Sequence, residues 1–366
     1  MIVIWIIGGI VLLILVINVY QILDPRFGGK PERKQIEKLA KHSVYEKGRF
    51  KNSNDVPTIL PKSYGKVLRQ QFKKNPGRVP EIAIPSVKPV LSDITAANTS
   101  FIWLGHSTVL IRIDSVTILI DPVFSKRASP FSFIGPKSFE YTNPVTPEDF
   151  PFPDIILISH DHYDHLDYRT IKKYYRSVKE FYVPLGIKSH LVRWGIAGEN
   201  ITEFDWWEGK LYNEKVEFIA APAQHFSGRR GQNNSTLWCS WIMKADDNAI
   251  FFSGDSGYSP HFAEIGDKYG PFDLVFMECG AYGMYWPYIH MVPEQSVQAG
   301  IDVKAKTVVP IHWGKFNLSF HPWKEPIERF TKEGEKVKLN ISVPIPGYVM
   351  VIPVLCSDND WWRILD

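Results

Sequence analysis

One six-residue stretch constrains the fold of this chain more than any other feature. Residues 160–165 read His-Asp-His-Tyr-Asp-His and directly follow an apolar run at residues 155–159. That run predicts a buried strand, and residues 168–176 predict a helix, so three imidazoles and two carboxylates stand in the turn at a strand end. Burying them unpaired would cost roughly several kcal/mol each, whereas imidazole and carboxylate are the ligands that zinc prefers. The stretch therefore predicts a metal site rather than a His-rich surface turn.

The spacing within this stretch indicates how its members divide. His160 and His162 are two residues apart, so in an extended turn they project the same way and can share one metal. Asp164 and His165 lie beyond them, where helical winding would turn them toward a second metal. Three other predicted strands end in a possible ligand: His225, Asp255 and His312. Each of these alone fits a core or loop residue, but together they indicate a shared site at one edge of a sheet.

The first 23 residues contain no Asp, Glu, Lys or Arg. A helix of this length, at ~1.5 Å per residue, spans a hydrocarbon core of ~30 Å. A cleavable signal peptide would carry a basic start, a shorter apolar core and a small-residue cleavage site, and none is evident. The sequence therefore favours an uncleaved, single-pass membrane helix over a signal peptide.

A basic segment follows at residues 24–80, with 15 Lys and Arg against 5 Asp and Glu. It carries +10 while the whole chain carries +3, so the remainder carries −7. The positive-inside rule then predicts that the domain after this segment lies in the cytoplasm. The segment is also attracted to anionic lipid headgroups, the alternative being a solvated linker. The acidic remainder argues against nucleic acid as a partner.

The domain organisation follows from these shifts in composition. We predict a transmembrane helix at 1–23, a basic arm at 24–97, one single-core domain at 98–355 and a tail at 356–366. Three cysteines, Cys239, Cys279 and Cys356, imply no disulfide framework. The domain shows runs of strands separated by helices, and this pattern occurs twice. Strands are predicted at 101–104, 108–113, 116–120, 155–159, 180–183, 216–220, 237–244, 249–253, 274–278, 307–311 and 348–352, and helices at 168–176, 187–194, 260–269, 293–303 and 326–334.

The stretch at 160–165 resembles the metal-binding motif of the metallo-β-lactamase superfamily. The resemblance implies an α/β fold, the αββα sandwich, with one or two metals at the open edge of its two sheets. It also implies the roles of the ligands. One zinc is held by His160, His162 and His225, and the other by Asp164, His165 and His312, with Asp255 bridging. Asp121, after the strand at 116–120, resembles the aspartate that orients the ligands, and the alternative is a turn-forming Asp before Pro122.

Further stretches resemble one branch, the N-acylphosphatidylethanolamine-hydrolysing phospholipase D family. They lie at 103–108, 121–130, 135–137, 222–226, 240–241, 254–258, 280–282 and 311–314, in the family's order. The resemblance implies hydrolysis of a membrane phospholipid by two Zn²⁺ per chain, giving phosphatidic acid and N-acylethanolamine. The membrane helix departs from the better-known members. Alternatives are a lactonase or sugar-phosphate hydrolase of the same superfamily, or a metal-dependent nuclease.

The remaining candidates concern the substrate. A proton donor would assist the leaving group, and Asp255 and His290 are the candidates. His106 either faces the site or is a loop histidine bonded to backbone. Arg229 and Arg230 either neutralise a lipid phosphate or form a solvated pair. His42 and His190 are predicted to be surface residues.

Overall fold

The computed structural model describes residues 2–31, 33–42, 44–73, 75–96, 99–231, 234–354 and 360–365. It begins with helix α1, Ile2–Leu23. The part Trp5–Leu23 is long and apolar enough to cross a membrane, and no part of it is buried against the domain. By length and composition the same helix also fits a signal sequence. Cys239 and Cys279 are buried free thiols, and Cys356 lies outside the described residues.

The strands form a small hairpin and two large sheets. Seven strands make the first sheet, in the order β15-β3-β4-β5-β6-β7-β8, and six make the second, in the order β14-β13-β12-β11-β10-β9. Their bounds are β1 Tyr45–Glu46, β2 Arg49–Phe50, β3 Thr99–Trp103, β4 Val109–Ile113, β5 Val116–Ile120, β6 Ile155–Leu157, β7 Glu180–Pro184, β8 Ile201–Phe204, β9 Gly209–Tyr212, β10 Val216–Ala221, β11 Ser240–Ala245, β12 Asn248–Phe252, β13 Leu274–Glu278, β14 Val308–Ile311 and β15 Val349–Val351.

The two sheets repeat one plan, as the doubled sequence pattern predicted. In the first, β3, β4 and β5 are antiparallel and β5 to β8 are parallel. In the second, β9 to β12 are antiparallel and β12 to β14 are parallel. Every residue of β5, β6, β13 and β14 is buried, because parallel strands are covered on both faces and therefore consist of continuous apolar runs.

Helices cover the outer faces of the sandwich. Ile171 and Leu191, on two of them, pack with Ile156 and Phe181 of the first sheet. Between the sheets, the rings of Phe101 and Phe276 meet edge to face, with 5.2 Å between centroids. The predicted αββα architecture is thereby confirmed. The helices are α2 Arg33–Leu39, α3 Tyr64–Gln71, α4 Leu91–Ala96, α5 Tyr168–Tyr174, α6 Lys188–Arg193, α7 His261–Tyr269, α8 Pro293–Asp302 and α9 Glu325–Val337.

The predicted elements of the domain are found with shifted ends. The strand predicted at 237–244 begins only at Ser240, for example. Strands β8 and β9 were not predicted, because each is a four-residue edge strand without a continuous apolar run: the two middle residues of β8 are half-buried, and Gly209 and Leu211 of β9 are exposed. The basic arm contains three short helices that the sequence analysis did not predict, α2, α3 and α4.

Candidate metal centre

The candidate metal centre lies at the edge where several strands of both sheets end. His160 follows β6, His225 follows β10, and Asp255 follows β12. Asp121 and His312 come directly after β5 and β14, with φ of 43° and 65°. A positive φ in residues other than glycine is uncommon and marks a chain that is forced to turn sharply. These turns bring side chains from both sheets to one place.

Asp121 is fully buried beneath the histidine-rich loop. Its carboxylate accepts hydrogen bonds from the Ser159 amide and from Nδ1 of His165, both at 2.7 Å. Since Nδ1 of His165 bonds to Asp121, its Nε2 is the ring nitrogen that faces the other ligands. This geometry supports the orienting role predicted for Asp121.

Three imidazoles form the first group of possible ligands. Nε2 of His160 lies 2.9 Å from Nδ1 of His162, and Nε2 of His225 lies 3.3 Å from the same atom. Nδ1 of His225 donates to the Ile289 carbonyl at 2.9 Å, which leaves its Nε2 for the group. The structure thus brings these three nitrogens within reach of one ion.

The second group contains Asp164, His165 and His312. Oδ2 of Asp164 lies 3.4 Å from Nε2 of His165 and 3.5 Å from Nε2 of His312. His106 joins them, with its Nε2 2.9 Å from the same oxygen and its ring 4.1 Å from that of His312. His106 is buried behind Asp164 and does not line the cavity, so the expected substrate contact of His106 is corrected to a contact with a possible ligand.

Asp255 stands between the two groups. Its Oδ2 is 3.0 Å from Nε2 of His312 and 3.2 Å from Nε2 of His165. The same oxygen is 3.8 Å from Nε2 of His160 and 3.7 Å from Nε2 of His225. One carboxylate oxygen therefore faces nitrogens of both groups, as a bridging ligand would.

The electrostatics of the site favour cations. Burial opposes ionisation of Asp255, but the charges of His165 and His312 outweigh it and hold the pKa of this carboxyl well below its ordinary value. Burial likewise opposes protonation of His312, yet Asp255 and Asp164 raise its pKa to about 10. Burial lowers the pKa of His160 and of His225 well below the ordinary value. The carboxylates thus create a negative potential that is neutralised by protons or by metal ions.

The residues present fit a metal. Nε2 of His165, Oδ1 of Asp255 and both ring nitrogens of His312 are buried without a hydrogen-bond partner in the part of the chain that the structure describes. An unsatisfied buried polar atom costs ~1–3 kcal/mol, so a cluster of them requires compensation. A cation bound by Nε2 of His165, by Asp255 and by one ring nitrogen of His312 would supply much of it, and the mixed imidazole and carboxylate set suits divalent transition metals.

A buried pair, His290 and Glu278, adjoins the two groups. Nδ1 of His290 donates to Oε2 of Glu278 at 2.9 Å, and the Met291 amide donates to Oε1 at 2.9 Å. The His290 ring lies 5.0 Å from that of His225 and 5.2 Å from that of His312. Burial raises the pKa of Glu278, opposed by the charge of His290. Glu278 was missed from the sequence, although its position as an acid at the end of the apolar strand β13 was a usable signal.

A cavity of about 300 Å³ opens over these residues. Its lining contains the polar side chains His162, Asp164, Asp255, His290 and His312, together with the apolar or aromatic side chains Ile59, Phe226, Trp286, Ile289 and Leu318. The cavity thus combines possible metal ligands with side chains suited to contact hydrocarbon.

Arg229 does not reach this cavity. Its guanidinium is buried and donates to the carbonyls of Asp161, at 2.8 Å, and Leu166, at 2.7 Å, within the histidine-rich loop. It also donates to the Arg26 carbonyl. Arg230 turns the other way and donates to the carbonyls of Phe27 and Gly28. The expectation that they neutralise a substrate phosphate at the metal centre is therefore corrected: Arg229 is buried against backbone carbonyls, and Arg230 does not line this cavity.

His190 was predicted at the surface and is buried instead. Its Nδ1 accepts from the Gly29 amide at 3.0 Å, so Nε2 carries the proton and faces Oδ2 of Asp161 at 3.3 Å. The prediction was wrong because the partners are distant in sequence. His42, also predicted at the surface, is partly buried against Asp205.

Two sheets between layers of helices, with a cluster of histidines and aspartates at their edge, define a hydrolase of the metallo-β-lactamase fold. Residues 116–313 match the model of the beta-lactamase superfamily domain. The chain therefore belongs to the beta-lactamase superfamily.

Several curated proteins are similar in sequence. The uncharacterized protein Rv0906 of Mycobacterium tuberculosis is 39% identical over 289 residues, which are 78% of this chain and 77% of the relative. N-acyl-phosphatidylethanolamine-hydrolyzing phospholipase D 1 of Caenorhabditis elegans is 37% identical over 229 residues, 59% of this chain and 64% of the relative. The mitochondrial enzyme of that name from Saccharomyces cerevisiae is 36% identical over 239 residues, 62% of this chain and 50% of the relative. The chain thus matches less than two thirds of each phospholipase.

Solved structures share the fold at low identity. Igni18, a metallo hydrolase from Ignicoccus hospitalis, superposes with a TM-score of 0.53 at 20% identity, covering 69% of this chain and 97% of that one. CmlA, a diiron β-hydroxylase from Streptomyces venezuelae, gives 0.53 at 18% identity, covering 68% and 53%. Both likenesses show the fold. Membership of the superfamily, which the domain model shows, implies bound metal ions.

Proposed function

We propose that this protein is a di-zinc phosphodiesterase that hydrolyses a membrane phospholipid on the headgroup side of phosphorus. The substrate class is N-acylphosphatidylethanolamine, and the products are phosphatidic acid and N-acylethanolamine. The observation that carries the proposal is the mixed lining of the cavity, in which Asp255 and His312 occur together with Phe226 and Trp286. A phosphodiester attached to acyl chains has the same combination of an anionic group and hydrocarbon.

The surroundings of the cavity support a substrate drawn from a bilayer. The Leu60 amide donates to the Tyr285 carbonyl at 2.8 Å and holds the segment before α3 beside the cavity. Three apolar side chains then follow at intervals of four residues, Tyr64, Leu68 and Phe72, which are 64%, 63% and 82% exposed. Lys62, Lys66 and Arg69 accompany them. Exposed apolar and basic side chains on one short helix are typical of segments that lie in a membrane interface.

The relatives support the same substrate class. Two of them are phospholipases D acting on N-acylphosphatidylethanolamine by name, at 37% and 36% identity. The basic segment after α1 supports a catalytic domain on the cytoplasmic side of the membrane.

The proposed chemistry assigns roles to this chain's own residues. When bound, two divalent ions would lower the pKa of water and neutralise charge on the phosphate. His160, His162 and His225 would hold one ion, and Asp164, His165 and His312 the other, with Asp255 between them. Because neighbouring charges keep Asp255 ionised, His290 is the better donor of a proton to the departing alcohol oxygen. Glu278 fixes the His290 ring for that task.

The test uses full-length protein in mixed micelles, loaded with zinc and placed in ¹⁸O-labelled water. The panel contains N-acylphosphatidylethanolamine, phosphatidylcholine, a lactone, a sugar phosphate and RNA, with products identified by mass. We expect N-acylethanolamine and phosphatidic acid that carries the label on phosphorus. Hydrolysis of the lactone, the sugar phosphate or RNA alone would refute the proposal in favour of that substrate class, and release of diacylglycerol would refute the site of cleavage.

A further inference from the structure

A second cavity, of about 780 Å³, lies where the end of α1 meets the domain. Its wall contains Ile22 from the last turn of α1 and four cationic side chains, Lys30, Lys188, Arg193 and Arg230. The residues of the candidate metal centre do not line it. It is therefore a separate site, and nothing in the proposed hydrolysis uses it.

The lining of this cavity that the structure describes holds four cations against one carboxylate. Glu203 is the acidic residue in its described lining, and its carboxylate already accepts from the Gly186 amide at 2.6 Å and the Gln35 side chain at 3.1 Å. Lys30 is exposed and makes no hydrogen bond or ion pair with any residue that the structure describes. Like charges gathered in this way repel one another, and a bound anion removes the repulsion.

Arg193 and Arg230 are fixed by hydrogen bonds beside the C-terminal end of α1. Arg193 donates to the carbonyls of Ile22 and Leu23, which are free because an α-helix leaves its last carbonyls unpaired. Arg193 and Arg230 both donate to the Gly28 carbonyl, at 2.8 and 2.9 Å, so the two guanidinium groups share one backbone atom. Burial, and after it the charge of Arg193, lowers the pKa of Arg230.

The same cavity has an apolar side. Ile22 and Val192 are 51% and 47% exposed beside the cations, and Ile22 continues into the exposed apolar surface of α1. Cations at the end of a membrane-length helix, next to exposed hydrocarbon, match a phospholipid whose phosphate lies in the cavity and whose chains lie along the helix. A free phosphate would use only the ionic side.

We propose that this cavity binds the headgroup phosphate of an anionic phospholipid from the leaflet around the end of α1. The assignment does not rest on the proposed hydrolysis, because it uses none of the metal-site residues. Each Lys or Arg near such a headgroup contributes about fivefold in affinity, corresponding to ~1 kcal/mol.

The experiment titrates full-length protein in non-ionic micelles and counts bound adducts by native mass spectrometry. The probes are dioctanoyl-phosphatidylglycerol, dioctanoyl-phosphatidylcholine and glycerol phosphate. The variants are Lys30→Glu and Arg230→Gln, and the matched control is Lys332→Glu on α9, an exposed lysine with the same change of charge. A lipid held at the metal centre would bind all variants equally, so the difference between variants reports this cavity.

We expect phosphatidylglycerol to bind more tightly than the other two probes, and both cavity variants to bind it at least fivefold more weakly than the control. Lys30→Glu carries the test if Arg230→Gln fails to fold, because the exposed Lys30 side chain makes no contact that the fold needs. Equal affinity in Lys30→Glu and Lys332→Glu, or phosphatidylcholine bound as tightly as phosphatidylglycerol, would overturn the proposal. Glycerol phosphate bound as tightly as the lipid would replace it with a free phosphate site.

Discussion

Replacing Glu278 with glutamine changes one charge beneath His290 and very little volume. Glu278 is fully buried and accepts from Nδ1 of His290 and from the Met291 amide. Glutamine keeps an oxygen for Met291, but its amide group then faces Nδ1 of His290. That nitrogen must accept instead of donate, so the ring changes tautomer and loses its hydrogen bond to a charged carboxylate.

The size of the effect follows from this one contact. A hydrogen bond to a charged group is worth ~1.5–3 kcal/mol, and each ~1.36 kcal/mol is a factor of ten in rate. We therefore expect Glu278→Gln to lower kcat by roughly 10- to 150-fold. Removal of the ring itself in His290→Ala should cost more, ~10²–10⁴-fold, as is typical for loss of a general acid.

The assay measures turnover of N-acylphosphatidylethanolamine in mixed micelles and metal content on the same samples, with the exposed Glu328→Gln as the control for loss of a carboxylate. Metal content should stay at the wild-type value in both variants while kcat falls. Asp255, Glu278, His290 and His312 also lie close enough to share one ion. Loss of metal in His290→Ala would therefore make His290 a ligand, and unchanged turnover would leave the pair with a packing role only.

Three further predictions follow from the structure. Dialysed full-length protein should contain about two zinc ions per chain, since seven possible ligands exceed one tetrahedral site; activity retained without any metal would contradict the proposed function. His160→Ala should lose metal and activity together, read by elemental analysis and turnover, because it removes a direct ligand. Arg229→Gln should lower the free energy of unfolding by at least ~2 kcal/mol, measured by guanidinium chloride denaturation, since the carbonyls of Asp161 and Leu166 lose a charged donor; an unchanged midpoint would show that the contacts are dispensable.

The sequence predicted those features of the site that lie within one continuous segment of the chain. A buried apolar run followed by ligand-type residues predicts a strand end with a polar cluster, and this held for His160, His225, Asp255 and His312. These four residues lie close together because the strands before them, in two sheets, all end at the same edge of the sandwich. Strand order in the sheets and the exact ends of elements depend on pairing partners, which periodicity does not report.

The residues that the sequence analysis missed or misplaced act through contacts between distant positions. In the sequence, Glu278 is only an acidic residue in an apolar strand, and its role depends on the hydrogen bond from His290. His190 resembles a surface residue of a short helix, and its burial depends on contacts with Asp161 and Gly29. Arg229 sits in a basic pair, which on composition alone indicates solvent or phosphate. Three backbone carbonyls from two separate segments occupy its donors instead. No local pattern in the sequence carries this information.

These contacts tie the end of α1 to the metal centre. Arg229 donates both to the carbonyl of Arg26, just beyond α1, and to the histidine-rich loop. In a second connection, the Gly29 amide donates to His190, which in turn bonds to Asp161 in the same loop. Residues 26–29 thus pack behind the loop that carries the possible ligands. They do not form a solvated linker that would let the domain move relative to the helix. If α1 spans a bilayer, the distance between the bilayer surface and the metal cavity is set by hydrogen bonds. An active site that takes its substrate from that bilayer requires such a fixed distance, because a lipid phosphate lies at a fixed depth.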